Sequence, residues 1–496
     1  MTVGYIGSIP SPMLQSIVDM RRRLDDLQRQ LGSGQKSTNY AGLGLDRGIS
    51  VSLRRQLDAT TSFDSTIAAV GVRMSVAQTA LSGVDSLKLT VRRATQESAF
   101  AIDPSGQTGQ QRAALTGFNQ LVALLNSRAG DRYLFSGQAI DRQSVASAEL
   151  ILDGDATRAG LKQVIDERRQ ADLGANALGR LDLARVGTDV TLDEDGAHSF
   201  GLKLTGASST LTNATLTAPA GSPAGMSVDF TGIPAAGGSV SIDVTLPDGS
   251  TKTLKLTATS ASPPGAGEFT IGANATDTAI NFQAALDSSL TTLAATELTA
   301  ASAMTAADNF FADPPQRVDG PPFDSATALI DGTSADTVSW YTGENGATPA
   351  RATASARIDP TMTVNYGMRA NEDALRAAMQ NIAVFAAVTS SPTDPNANAA
   401  YKALAGRVAT GLSAEQGQQR VADIQSEIAA SQGAFTAAKD RHGQTSAMLS
   451  DLLQSIEGVS EEQVGAQILS LQTSLQASLQ TTAMLSRISL VNYLST

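Results

Sequence analysis

Apolar side chains near the start of the chain recur at 4-3-4-3-4 spacing: Met13, Ile17, Met20, Leu24, Leu27 and Leu31. That is a heptad seam on a helix of about 20 residues, or ~30 Å. Ser11-Pro12 offers an N-cap and a proline at the first helical position, and Gly32, reinforced by Gly34, offers a stop. One thin stripe on a lone helix cannot bury itself, so this helix needs a partner. After the glycine-rich break Asn39-Tyr40-Ala41-Gly42-Leu43-Gly44, a longer helical pattern runs to about Phe100. Within it Phe63, Ile67, Val70, Met74, Ala77, Leu81 and Val84 keep the 4-3 spacing, which calls for a left-handed supercoil. Asp103-Pro104-Ser105-Gly106 ends that helix, and Leu115, Phe118, Leu121, Val122 and Leu125 predict an antiparallel neighbour that stops near Gly130.

The period changes after residue 130. Tyr133-Leu134-Phe135 and Glu149-Leu150-Ile151-Leu152 are short apolar runs expected to be strands, with Asp153-Gly154 as a turn. Ser239 to Leu246 alternates, Pro247-Asp248-Gly249 turns, and Thr251 to Leu256 returns, which predicts a hairpin. Helices are expected at about 277–294 and 297–311, then from Asn371 to about Val388 and from Asn396 to about Leu453, the last with a possible break. Ser460-Glu461-Glu462-Gln463 has capping-box spacing. It opens a final helix whose Val464, Ile468, Leu471, Leu475, Leu479, Leu485 and Tyr493 share one face at 100° per residue. Met484, Ile488 and Leu494 lie off that face, so the last turns are apolar nearly all round and expect to be covered.

Composition narrows the chemistry. The chain has 496 residues, 17% of them charged, a formal net charge of −12 and no cysteine. Disulfides, thiolate nucleophiles and Cys-ligated metals are therefore excluded. Of the two histidines, His198 falls in a predicted loop and His442 on a polar helix, and both read as solvated side chains. Gly42-Leu43-Gly44-Leu45-Asp46-Arg47-Gly48 follows no strand, so it is a joint rather than a dinucleotide fingerprint. Asp153-Gly154-Asp155 and Asp193-Glu194-Asp195-Gly196 lack the ligand spacing of a calcium loop. Arg21-Arg22-Arg23 is followed at once by Asp25-Asp26, a salt-bridged helix face and not a nucleic-acid patch. Trp340, the only tryptophan, stands beside Tyr341 with no visible constellation and reads as a core anchor. No catalytic, cofactor-binding or metal-binding residue is expected, and the chain is not read as an enzyme. No run of about 18 consecutive apolar residues predicts membrane insertion, and the N-terminus lacks a basic segment followed by an apolar one, as in a cleavable signal.

Several segments resemble one family. Leu24-Asp25-Asp26-Leu27-Gln28-Arg29-Gln30-Leu31-Gly32-Ser33-Gly34, Arg132-Tyr133-Leu134-Phe135-Ser136-Gly137, Trp340-Tyr341-Thr342-Gly343-Glu344, Val364 to Glu372 and the tail from Leu475 to Leu494 are similar to the flagellar hook–filament junction proteins and their flagellin relatives. The resemblance covers roughly 1–140 and 320–496 and is weak over 191–309. Where many members carry Asp-Asp-Pro after the first helix, this chain has Tyr40-Ala41-Gly42-Leu43-Gly44. The resemblance implies a bacterial extracellular protein, exported by the flagellar type III apparatus with a chaperone and without a cleaved signal. It also implies self-assembly beside a neighbouring hook-associated protein and flagellin, with no nucleic acid and no cofactor.

Pattern and resemblance together predict a mainly α fold, a long antiparallel coiled-coil rod formed by the N- and C-terminal arms and carrying a β-rich central insert. Residues 1–41 and 459–496 are the expected terminal helices of an inner assembly core. Residues 42–190 and 310–458 are the expected helical rod with short β elements, and 191–309 the β insert, which a short linker should be able to replace. The expected assembly interface is Met13, Ile17, Met20, Leu24, Leu27, Leu31, Val464, Ile468, Leu471, Leu475, Leu479, Leu485, Ile488, Tyr493 and Leu494. The leading expectation is an adaptor joining hook to filament. The alternatives are a filament flagellin, which the tail disfavours, and an extracellular ligand-binding protein working through the β insert.

Overall fold

The computed structural model describes residues 11–97, 99–413 and 417–494. Helices along the chain are α1 (Ser11–Ser33), α2 (Arg47–Thr95), α3 (Gly109–Leu125), α4 (Ala148–Asp153), α5 (Leu161–Leu173), α6 (Ala275–Leu293), α7 (Thr299–Phe310), α8 (Asp373–Ala387), α9 (Ala397–Gly411), α10 (Val421–Glu457) and α11 (Glu461–Leu494). Strands are β1 (Arg128–Ala129), β2 (Arg132–Tyr133), β3 (Leu181–Val186), β4 (Asp189–Glu194), β5 (Lys203–Ser209), β6 (Thr215–Gly221) and β7 (Ala224–Asp229). They continue as β8 (Ser239–Thr245), β9 (Thr251–Thr259), β10 (Glu268–Thr270), β11 (Gln316–Val318), β12 (Leu329–Asp331), β13 (Ser355–Asp359) and β14 (Met362–Asn365).

The expected fold is overturned. Helix accounts for 52% of the chain and strand for 17%, spread over several small sheets in a mixed α/β arrangement, not a long helical rod with terminal arms. The reason is visible in the middle helices. On α8, Leu375, Met379, Ile382, Ala383, Val384, Phe385 and Ala386 are all buried, so its apolar surface runs nearly all round. Such a helix must be surrounded, and cannot be satisfied by one partner along a single seam.

The chain divides into two units. One comprises Met1–Val70, Ala356–Val364 and Gly433–Thr496. In it α1 packs against α11. Gly34 takes the left-handed conformation (φ 68°) that ends α1, two residues beyond the expected stop, and its N–H bonds Gln30 O at 2.8 Å. The following residues pair with the α10–α11 link, Lys36 N–H to Glu457 O at 2.7 Å and Val459 N–H to Gly34 O at 3.1 Å. The C-terminal end of α1 therefore lies beside the start of α11, and the two helices run antiparallel. Ser460 Oγ accepts the Gln463 N–H at 3.4 Å, as the capping spacing predicts.

The other unit comprises Gly71–Ser355 and Asn365–Gln432. Two four-stranded sheets, ordered β10-β9-β8-β5 and β3-β4-β7-β6, share one apolar core with α6. The expected hairpin is β8–β9, with Val240 opposite Leu256 and Ile242 opposite Leu254. Its alternation buries Val240, Ile242 and Val244, while Phe230, Phe269 and Phe282 meet edge to face at 5.2–6.1 Å. The β layer begins at Leu181, ahead of the expected insert boundary at 191, and its core extends to Ala301. Beyond α6 the helix continues through a π-turn, Ala294–Leu298, into α7, which packs on α5, α8 and α9. Leu124 of α3 sits over Gly83 of α2.

Two local expectations also change. Residues 149–152 are helical, because Ser147 Oγ caps the Leu150 N–H at 3.3 Å and Gly154 closes the turn; a four-residue apolar run has no period of its own. The segment 40–95 contains a window long and apolar enough by composition to cross a membrane, although no run is continuously apolar. In the fold its stripe Ile67, Val70, Met74, Ala77, Leu81 and Val84 is buried in protein.

Candidate assembly surface on the first and last helices

The α1–α11 pair sorts the expected interface residues into three groups. Ile17, Leu27 and Val464 are buried within the chain itself. Met20, Leu24, Ile468, Leu471 and Leu475 are half-buried, while Leu31, Leu479 and Leu485 are exposed. The side chains of Met13, Ile488, Tyr493 and Leu494 lie outside the described residues. Sequence reasoning missed Leu14, Val18 and Leu469, which are 49%, 45% and 66% exposed, and placed Met484, 61% exposed, off the interface. Their signal was present, since Leu14, Val18 and Leu469 each follow a seam residue directly and widen the apolar stripe beyond one heptad face. The seam is thus mostly consumed inside the subunit, and the apolar side chains left in water sit on the flanks.

Polar anchors set the pair in place. Glu457, at the end of α10, accepts from Arg54 Nε at 3.0 Å and Nη2 at 2.5 Å and from Ser50 Oγ. The Arg54 hydrogen bond holds the Glu457 carboxyl below its ordinary range. Lys36 Nζ donates to Ile456 O at 2.7 Å. On the outer side of α1, Arg22 pairs with Asp19 at 3.3 Å and Arg29 with Asp26, all largely exposed. Such pairs add little stability.

Both imidazole side chains are buried, contrary to the solvated reading. His442 Nδ1 lies 2.7 Å from Asp64 Oδ1, with Asp359 Oδ2 3.8 Å from Nε2. The His198 side chain is 4% exposed; its Nδ1 accepts the Phe200 N–H at 3.2 Å. Its Nε2 lies between an acceptor, Asp195 Oδ1 at 2.8 Å, and a donor, Arg180 Nη2 at 2.7 Å. Burial, with the charges of Arg180 and Lys203, holds His198 below its ordinary value against the pull of Asp195. His442 is buried by neighbours far along the chain, and His198 by the folding of its own loop onto Arg180, neither of which periodicity reports. Among the described residues no three His, Asp or Glu side chains are grouped to hold a metal ion.

Three of the family-like segments meet in the second unit. Ser136 bridges Arg369, Gly137 N–H bonds Met368 O at 3.1 Å, and Ala370 N–H bonds the fully buried Phe135 at its carbonyl, 2.8 Å away. Glu344 N–H bonds Ser136 O at 2.9 Å, and the Glu344 carboxylate pairs with Arg369. Trp340 is 4% exposed, with its indole N–H on Phe311 O at 3.2 Å. These segments are joined by packing and backbone hydrogen bonds rather than by reactive groups.

No protein-family model matches the chain, and no curated protein matches it.

Proposed function

We propose that this chain is a structural subunit of the bacterial flagellum, an adaptor at the hook–filament junction that self-assembles through its first and last helices. The observation that carries this reading is the α1–α11 pair, which leaves Leu14, Val18, Leu31, Leu469, Leu479, Met484 and Leu485 in water. A half-exposed leucine still has about 1 kcal/mol to gain by burial, so several together favour association without cofactor or covalent chemistry. The proposed neighbours are further copies of this chain, the adjacent hook-associated protein and flagellin. The export apparatus and a chaperone would deliver it outside the cell. The subunit acts by packing and not by catalysis, and neither nucleic acid nor membrane insertion enters the proposal.

Electron microscopy of a strain lacking the gene, with flagellin assayed in the medium, tests this. Bare hooks with shed flagellin are the expected result. Missing filaments without shed flagellin would make this chain the filament subunit itself, and normal filaments with normal swimming would overturn the flagellar reading.

A further inference from the structure

Where those segments meet, Glu344-Asn345-Gly346 contains the chain's only Asn-Gly pair. We propose that Asn345 is a latent self-modification site: it converts to aspartate and isoaspartate through attack by the Gly346 backbone nitrogen, and the folded junction holds that reaction back. The nucleophile is built into the sequence, because glycine has no Cβ to shield its nitrogen. Gly346 N forms a bond to Asn345 Cγ, the Cγ–Nδ2 bond breaks, and Nδ2 leaves as ammonia with the proton that Gly346 N gives up. Water then opens the five-membered imide. Opening at the side-chain carbonyl leaves aspartate, and opening at the main-chain carbonyl leaves isoaspartate. One water enters and one ammonia departs, with no oxidant, reductant or cofactor.

Asn345 is exposed, so water reaches it freely. Its carboxamide is nevertheless fixed at both ends: Nδ2 donates to Asp313 Oδ2, and Oδ1 accepts from Asn371 Nδ2 at 2.9 Å. Gly346 is fixed as well, since its N–H donates to Glu344 Oε1 at 2.7 Å and its carbonyl accepts from Arg369 Nη1 at 2.8 Å. Glu344 is in turn held by the Arg369 ion pair, and its carbonyl accepts from the Tyr341 hydroxyl at 3.0 Å. Ring closure brings the carboxamide carbon over the Gly346 nitrogen while that nitrogen sheds its proton. Both carboxamide anchors and the Glu344 contact must therefore give way, and reactivity follows local opening of the junction rather than exposure of the side chain. The product does not refit. A carboxylate at 345 cannot donate to Asp313 and repels it, and isoaspartate adds a backbone carbon before Gly346, which pulls the Gly346 carbonyl off Arg369. The site thus records opening of the junction irreversibly.

The tryptic peptide 318–351 has Asn345 as its only Asn or Gln, so the mass gain of an NH2-to-OH exchange reports this residue alone. Full-length protein is incubated at neutral pH, folded and in guanidinium chloride, and electron-transfer fragmentation identifies isoaspartate at 345. The expected result is conversion in guanidinium and at least about tenfold slower conversion in the folded chain. Asn371→Ala and, separately, Asp313→Ala each remove one anchor and should speed conversion of the folded chain about fivefold, one hydrogen bond's worth. Circular dichroism and the emission of Trp340, the only tryptophan, should stay at parental values in both. No conversion in guanidinium, or equal rates folded and unfolded, overturns the proposal without recourse to any variant. So does a parental rate in both folded variants.

Discussion

Leu469→Glu separates assembly from folding. Leu469 is 66% exposed on α11, so only about a third of its side chain contributes to the subunit's own packing. Full burial of a leucine contributes about 2.5 kcal/mol, so the substitution should cost the isolated subunit about 0.8 kcal/mol or less. Glutamate is nearly as good a helix former as leucine, which keeps the backbone cost to about 0.2 kcal/mol. In an assembled interface the balance reverses. The remaining burial, about 1.7 kcal/mol, is lost, and a carboxylate without a partner must be desolvated at a further cost of several kcal/mol. Leu27→Ala is the matched control: Leu27 is 9% exposed, and its truncation should cost about 2 kcal/mol within the α1–α11 pair itself. Thermal melts of both purified variants should therefore show a near-parental transition for Leu469→Glu and a lowered one for Leu27→Ala. Incorporation into flagella, followed by antibody labelling and electron microscopy, should be lost for Leu469→Glu. Parental incorporation would refute the flank argument, and a melting shift as large as that of Leu27→Ala would place Leu469 in the subunit's own core.

Three further outcomes follow from the second unit. His198 has its folded-state value below the unfolded one, so the unfolded chain binds the extra proton and stability falls as pH drops below about 6.5, by at most about 1.4 kcal/mol per unit for one proton; His198→Gln should flatten that dependence in melts taken from neutral to acid pH. Arg407 holds Asp248 at 2.6 Å and Glu297 at 2.7 Å with little exposure, so Arg407→Met should strand Asp248, while Glu297 keeps Lys252 at 2.7 Å, and cost about 2 kcal/mol by urea midpoint, with Arg407→Lys recovering part; a loss under about 0.5 kcal/mol would show the network is dispensable. Replacing 191–309 by a short linker should abolish cooperative unfolding of this unit, because the cut passes through β4 and removes α7 from α5, α8 and α9; a parental melt would show that the segment is the replaceable insert its composition suggests.

That last case shows where reading along the chain reaches its limit. Thr/Ser/Ala/Gly enrichment begins near 191, but β3 and β4 already form a hairpin from Leu181 to Glu194. Composition marks what a segment is made of, not which strand completes its sheet. Likewise the 4-3 stripe on α1 located a buried seam, yet burial inside the subunit reached Ile17 and Leu27 while Leu31 stayed in water. A stripe reports that a face seeks cover and not how far the partner extends.

The amino-acid order by itself determined the elements whose signals are local. The first helix, the β8–β9 hairpin with its Pro-Asp-Gly turn and the Ser460 cap all rest on neighbours within a few residues, and the lack of cysteine removes thiol chemistry whatever the fold. The tertiary structure alone decided the mixed α/β architecture and the burial of His442. Each depends on groups brought together from distant positions, as with His442 and Asp64. Periodicity fixes the direction a side chain faces from its own element, whereas the identity of what it meets there is set by long-range packing.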